Sequence, residues 1–315
     1  MATLTPGASL GVDLYVRRRA NDQATLLFRE DQTVDWATLE TLQEGSDEFK
    51  VFVDRKHQQR YQQYLRDQWR DLTSDSSSPI STRLNVISEV VRDVMSEQFK
   101  GAEAKNTEKL IEVTMDLAEN AVKVINSQNI VLDELFDVLR HDYGTFTHST
   151  NVSMYAVLLA KELGFSIQDQ TDIAAGGLLH DIGKIDIDAH ILNKPGKLDL
   201  EELAIIRRHP QLGFEKLAPQ PDLNIGILMM TYQHHERIDG SGYPCSVPDL
   251  EIHPWAKLCA IVDVFEAITS DRPYLVPCSV ESALNFMESG RDKQFDGDML
   301  DVWVRLQKSS GGNHA

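Results

Sequence analysis

Beyond a Ser/Asp/Pro cluster, TSDSSSP at 73–79, the chain repeats its apolar residues at helical rather than strand spacing, and that limits it to helices packed on helices. Leu84, Ile87, Val91, Val94 and Phe99 share one face, as do Leu110, Val113, Leu117, Ala121 and Val124 in the next segment. The pattern predicts further helices over 131–142, 148–163, 169–180, 199–217, 221–235, 254–269 and 279–290. Ahead of the cluster the character changes. GVDLYVR and ATLLFRE alternate as strands do, FKVFV at 49–53 suggests a third strand, and Asp35 is placed to cap a short helix through Leu39 and Leu42. RYQQYLRDQW then reads as an aromatic helix. The expected fold is mainly all-α, with a small α+β N-terminal module at 1–72, a linker and connecting helices at 73–130, and a helical domain at 131–315. The stripes at 84–125 suit either a core or a homodimer seam.

Composition narrows the function classes. Over 315 residues, 42 % are hydrophobic and 25 % charged, the balance of an ordinary globular protein. No run reaches the roughly 18 apolar residues of a membrane helix, and the first residues lack a basic start followed by an apolar core. Membrane insertion and export are therefore not expected. Cys245, Cys259 and Cys278 form no C-x-x-C pair, which suits a reducing cytoplasm. A formal charge of −18 repels a phosphate backbone, so duplex nucleic acid is excluded as a partner. A small anionic ligand stays compatible if its pocket is locally positive.

Ten histidines are present, and five of them, with two aspartates, are spread over consecutive expected helices. His148, His180-Asp181, His209, His234-His235 and Asp263 all fall on or at the ends of expected helices. Imidazole and carboxylate donors together suit first-row divalent metals, and the lack of a cysteine cluster argues against a structural zinc finger. Seven donors exceed the needs of one tetrahedral ion and fit two metals about 3.5–4 Å apart that share a carboxylate. Asp181 is the natural bridge, and a bridging hydroxide the natural nucleophile. In GLLHDIGK, Gly183 allows close backbone approach. Lys184, one turn beyond Asp181, is explained by an anion between it and the metals, so it reads as a phosphate contact. In HHERIDGSGYP, two adjacent histidines at a helix end can reach one ion. Arg237 and Asp239 begin an irregular loop in which Gly240 and Gly242 permit positive φ and Pro244 stiffens the exit. Tyr243 supplies a flat ring and a hydroxyl. Such a loop either closes over a ligand or presents Gly240–Pro244 to a partner protein.

HDIGK at 180–184, HHERIDGSGYP at 234–244 and DVFEAITSDRPY at 263–274, with THSTNV at 147–152 and RRHP at 207–210 before them, resemble the HD-GYP phosphodiesterases in order and spacing over about 130–290. The resemblance implies an HD-type helical catalytic domain that hydrolyses cyclic di-GMP, a bacterial second messenger, to linear pGpG and then GMP. It further implies one metal held by His148, His180, Asp181 and Asp263 and a second by Asp181, His209, His234 and His235. The ions would be iron or manganese, with nickel or zinc as alternatives. Asp181 and Lys184 would be catalytic, and Lys184, Arg237, Asp239, Tyr243 and Arg272 would contact substrate. Small modules ahead of such domains often sense or dimerise. Three positions depart from the family pattern. Gly144 stands where members with a third metal carry glutamate, which implies two metals here. Leu275 stands where relatives are often basic, which leaves room for pGpG as the preferred substrate. Glu266 replaces the usual aspartate and keeps a carboxylate. The competing readings are a regulatory module that binds a cyclic dinucleotide or a partner protein with little hydrolysis, and a phosphodiesterase preferring cyclic GMP-AMP.

Overall fold

A computed structural model describes residues 11–17, 23–33, 50–76, 78, 80–100, 107–127, 145–270 and 277–310. The chain forms two compact units, Met1–Asp93 and Val94–Ala315, divided within one long helix. The expectations at Asp35–Leu42 and 131–142 fall outside the described residues, as do Gly144, Arg272 and Leu275.

The first unit contains the three expected strands, β1 (Leu14–Arg17), β2 (Thr25–Phe28) and β3 (Lys50–Val53). They form an antiparallel sheet in the order β2-β1-β3, with Leu14 opposite both Phe28 and Val53. Alternation along β1 buries Leu14 and Val16 while Tyr15 and Arg17 are half-exposed, the period-2 signature of a sheet with one covered face. Val12, Leu14 and Phe28 make the core there, with Tyr61 and Tyr64 of the following helix packed against them. That helix, α1 (Gln58–Ser74), buries Leu65, Trp69 and Thr73 at i, i+4 and i+8. It runs two residues into the expected linker, and Arg83 Nε donates to its Thr73 carbonyl at 2.6 Å. The break is therefore shorter than the sequence suggests, because the arginine satisfies an end carbonyl that water would otherwise take. Helix α2 (Ile80–Lys100) follows.

In the second unit the helices are α3 (Thr107–Ser127), α4 (Thr145–Glu162), α5 (Ile167–Leu179), α6 (Ala189–Leu192), α7 (Leu200–Ile206), α8 (His209–Leu217), α9 (Ile225–Gln233), α10 (Pro254–Thr269), α11 (Val280–Ser289) and α12 (Gly297–Ser310). Every residue from Gln170 to Leu179 is buried, including the polar Gln170, Thr171 and Asp172, so α5 is the central helix, with α3, α4 and α9 packed on it. Tyr155 of α4, Phe265 of α10 and Trp303 of α12 meet edge-on with ring centres 5.1–5.8 Å apart and close the core on the other side. Leu84, Ile87 and Val91, and likewise Leu110, Leu117, Ala121 and Val124, are buried in a single copy of the chain, whereas Val94 and Val113 are half-buried.

Two expectations need correction. The predicted helix over 199–217 is two helices. Pro210 has no amide hydrogen to bond back to Ile206 and its ring crowds that carbonyl, so α7 stops and α8 restarts at His209. Helix α12 was not expected at all; its buried face carries a polar residue, Gln307, beside Leu300, Trp303 and Val304, which blurs the apolar stripe. Among the described residues no helix is long and apolar enough to cross a membrane.

Candidate metal centre

Six of the seven donors lie at or beside helix ends and the seventh, Asp263, lies within α10, and together they converge on one buried point. His148 lies in the first turn of α4, and His180 follows the last residue of α5. Asp181 caps a 3-10 turn, Ile182–Asp186, His209 opens α8, His234 and His235 follow α9, and Asp263 lies in α10. Gly183 sets how closely two of these elements approach. A Cβ there would stand 2.0 Å from the His209 carbonyl oxygen and 2.5 Å from the Gly213 nitrogen, so only glycine lets the turn carrying Asp181 lie against α8.

The donor atoms sort into two clusters with Asp181 between them. On one side, His148 Nε2 lies 3.1 Å from Asp263 Oδ1 and 3.7 Å from Asp181 Oδ2, and His180 Nε2 lies 3.4 Å from the same Asp181 oxygen. On the other, His209 Nε2 is 3.2 Å from Asp181 Oδ1 and 3.1 Å from His234 Nε2, with His235 completing that group. One carboxylate therefore offers one oxygen to each cluster. His180 Nε2 and Asp181 Oδ1 are buried with no hydrogen-bond partner among the described residues. An orphaned buried polar atom costs about 1–3 kcal/mol, which a cation between the donors would remove. The residues fit divalent metals by donor chemistry and by this unmet demand.

Electrostatics keep the lone pairs of His234 and His235 available. Burial, reinforced by the neighbouring imidazoles, holds His234 well below the ordinary histidine value, and burial brings His235 down to about 4. Burial would raise the Asp181 carboxyl, but Lys184, His180 and His209 override it and hold it well below the usual range. His148 goes the other way: burial would lower it, yet its bonds to Asp263 and Glu266 raise it to about 10. In the metal-free chain a proton on His148 and the Lys184 ammonium, paired with Asp181 Oδ2, carry positive charge into the cluster.

A cavity of about 370 Å³ opens beside His234 and His235, with Arg207, Arg237, Tyr243 and Gln294 in its wall and Ala260 and Val264 as its apolar part. The Tyr243 ring stacks on His235 at 4.7 Å, and the Arg207 guanidinium lies 5.2 Å from the Tyr243 ring centre. The loop is held from below by Glu236, whose buried carboxylate accepts from the Cys245 and Ser246 amides at 2.7 and 3.1 Å. Gly240 has the expected positive φ of 74°. Gly242 does not; its constraint is room, since a Cβ would meet Glu236 Cα and the Arg237 nitrogen at 2.5 Å. Of the expected substrate contacts, Arg237 and Tyr243 line the cavity. Asp239 instead shapes the loop, its carboxylate accepting from the Ser241 amide and hydroxyl at 3.0 and 2.6 Å, and Lys184 sits on Asp181. Sequence reasoning names Arg207 only as part of RRHP, and Glu266 only as a retained carboxylate without its contact to His148, 118 residues away.

The HD domain family matches residues 112–299, more than half of the chain, and the chain belongs to that family. Among curated proteins it is similar to the cyclic di-GMP phosphodiesterase response regulator RpfG of Xanthomonas campestris, 37 % identical over 52 % of this chain and 44 % of that protein. It is also similar to 3'3'-cGAMP-specific phosphodiesterase 1 of Vibrio cholerae, 38 % identical over 51 % of this chain and 37 % of that one. The chain thus spans less than half the length of these two relatives. Bd1817, an HDG"Y"P protein from Bdellovibrio bacteriovorus, superposes with a TM-score of 0.69 over 98 % of both chains at 21 % identity, a likeness of fold that takes in the N-terminal unit.

Proposed function

We propose that the chain is a metal-dependent phosphodiesterase that hydrolyses cyclic di-GMP to pGpG and then GMP. The observation that carries this reading is the Asp181 carboxylate, with one oxygen toward His148 and His180 and the other toward His209 and His234. His148, His180, Asp181 and Asp263 would hold one divalent cation, and Asp181, His209, His234 and His235 the other. Nitrogen and oxygen donors in this proportion suit iron or manganese, with nickel and zinc also compatible. Bound there, the cations would lower the pKa of a water toward about 7 and neutralise charge on the scissile phosphate.

The chain's own side chains supply the rest. Lys184 is 31 % exposed at the edge of the cluster and would turn from Asp181 to a phosphate oxygen once Asp181 is engaged. Arg207 and Arg237 make the cavity beside the metal cluster locally positive on a chain of net charge −18, as an anionic substrate needs. Tyr243 presents a ring held between His235 and Arg207, and Ala260 and Val264 give the cavity an apolar patch. Arg272 is a further expected phosphate contact.

Protein reconstituted anaerobically with iron or manganese, incubated with cyclic di-GMP and followed by chromatography, tests the proposal. Product should appear with the native chain and vanish with Asp181→Asn; equal turnover by that variant would overturn the mechanism. The Vibrio relative motivates a second reading, cyclic GMP-AMP as the preferred substrate, which side-by-side kcat/KM values for the two cyclic dinucleotides decide.

A further inference from the structure

The histidines of the centre are not oriented alike. His180, His209 and His234 each turn Nδ1 to a backbone carbonyl, of Gly177 at 2.8 Å, Ile206 at 2.8 Å, and Met230 and Thr231 at 3.0 Å. His148 instead bonds through Nδ1 to the Glu266 carboxylate. Glu266 is fully buried one turn beyond Asp263 on α10, and its other oxygen accepts from Asn151 Nδ2 at 3.1 Å and from Ser270 Oγ at 2.6 Å. The carboxylate is thus fixed on three sides, and Nε2 of His148 faces Asp263 and the near oxygen of Asp181. A carboxylate behind a ligating imidazole sets its tautomer and raises its basicity, which a carbonyl does less well.

We infer that Glu266 is a positioning residue that makes the two halves of the centre unequal, so that a divalent cation binds more tightly at His148–His180–Asp263 than at His209–His234–His235. The inference rests on the proposal that these clusters hold metal. Once a cation has displaced the His148 proton, charge counting agrees with it. The first half has Asp263 and Glu266 of its own, offset by Lys184 on the Asp181 oxygen that faces it, whereas the second half is three imidazoles sharing only Asp181.

Equilibrium dialysis of the whole chain against graded free manganese, with bound metal counted by elemental analysis, tests this without relying on turnover. The native chain should show two classes of site. Glu266→Gln should weaken the tighter class about 10- to 100-fold and leave the other within about twofold, the range seen when a carboxylate behind a metal-bound histidine is lost. Glu266→Asp, which keeps the charge, should recover part of that loss. His148→Gln and His209→Gln read the same asymmetry without touching Glu266: the tighter class should vanish in the first and survive in the second. A single class in the native chain, equal weakening of both classes by Glu266→Gln, or loss of the tighter class in His209→Gln alone would overturn the inference while leaving the metal reading intact. A native chain that binds no manganese overturns both.

Discussion

Replacing Gly183 by alanine adds one methyl group, and the structure says where it must go. The new Cβ would lie 2.0 Å from the His209 carbonyl oxygen, some 1.3 Å inside the roughly 3.3 Å at which carbon and oxygen touch. Both neighbours are backbone, the second being the Gly213 nitrogen at 2.5 Å, so no side chain can swing aside. The 3-10 turn and α8 have to separate. Overpacking of this kind costs about 1–3 kcal/mol. For a unit of the size of Val94–Ala315 that is a fall in melting temperature of about 2–12 °C, at about 2–4 °C per kcal/mol. The separation acts directly on the 3.2 Å between His209 Nε2 and Asp181 Oδ1, so the variant should also bind less manganese. Thermal melts of metal-free protein and manganese binding are the two assays. Leu284→Ala is the control: Leu284 is a buried α11 residue, and the change should cost about 2–5 kcal/mol while leaving manganese stoichiometry unchanged. A Gly183→Ala chain that melts and binds manganese like the native one refutes the close-approach argument, and one that melts lower but binds normally refutes its link to the site.

Four further outcomes follow from contacts already described. Glu236→Ala removes the acceptor for the Cys245 and Ser246 amides and should raise hydrogen exchange across 240–247 while metal content stays at the native level. Arg207→Ala should raise KM for a cyclic dinucleotide and leave bound metal unchanged; a fall in kcat alone would place Arg207 elsewhere in the reaction. Trp303→Ala should cost about 3–5 kcal/mol, read from denaturant midpoints, because Trp303 is fully buried against Tyr155 and Phe265. His253 accepts the Trp255 amide at 3.2 Å as the N-cap of α10, and burial holds it below the ordinary value of 6.5. Its stabilising contribution is therefore complete above that value and fades as pH falls through the lower folded one. His253→Asn, a cap that does not titrate, should show a smaller loss of stability between pH 7 and 5, and an equal loss would count against the cap.

The legible parts of this molecule are those written in local chemistry. Strands β1 to β3 and helix α10 were readable because a strand-like run, or apolar residues at helical spacing, lies within a few residues. The seven metal-binding candidates were readable as a set because five histidines and two aspartates recur over consecutive expected helices, although nothing local says which oxygen of Asp181 faces which cluster. What escaped depends on distance or on exceptions. The Glu266 carboxylate is unremarkable until α10 packs on α4 and brings it to His148. Arg207 acquires a place only when Tyr243 folds over His235. Pro210 was visible, but its effect was outweighed by the apolar periodicity on either side, and Gln307 hid α12 by putting an amide on a buried face.

Because His148 and Glu266 are 118 residues apart, the half of the centre that holds His148 has no partial version along the growing chain. At a synthesis rate of about 5–20 residues per second, roughly 6–24 s pass between the emergence of the first donor and that of the carboxylate that aims it. Through that interval His148 lacks the carboxylate that aims it, whereas His180, His209 and His234 have their orienting carbonyls three or four residues away. The two halves of the centre therefore differ in when the chain can complete them, and the half with His148 waits for α10.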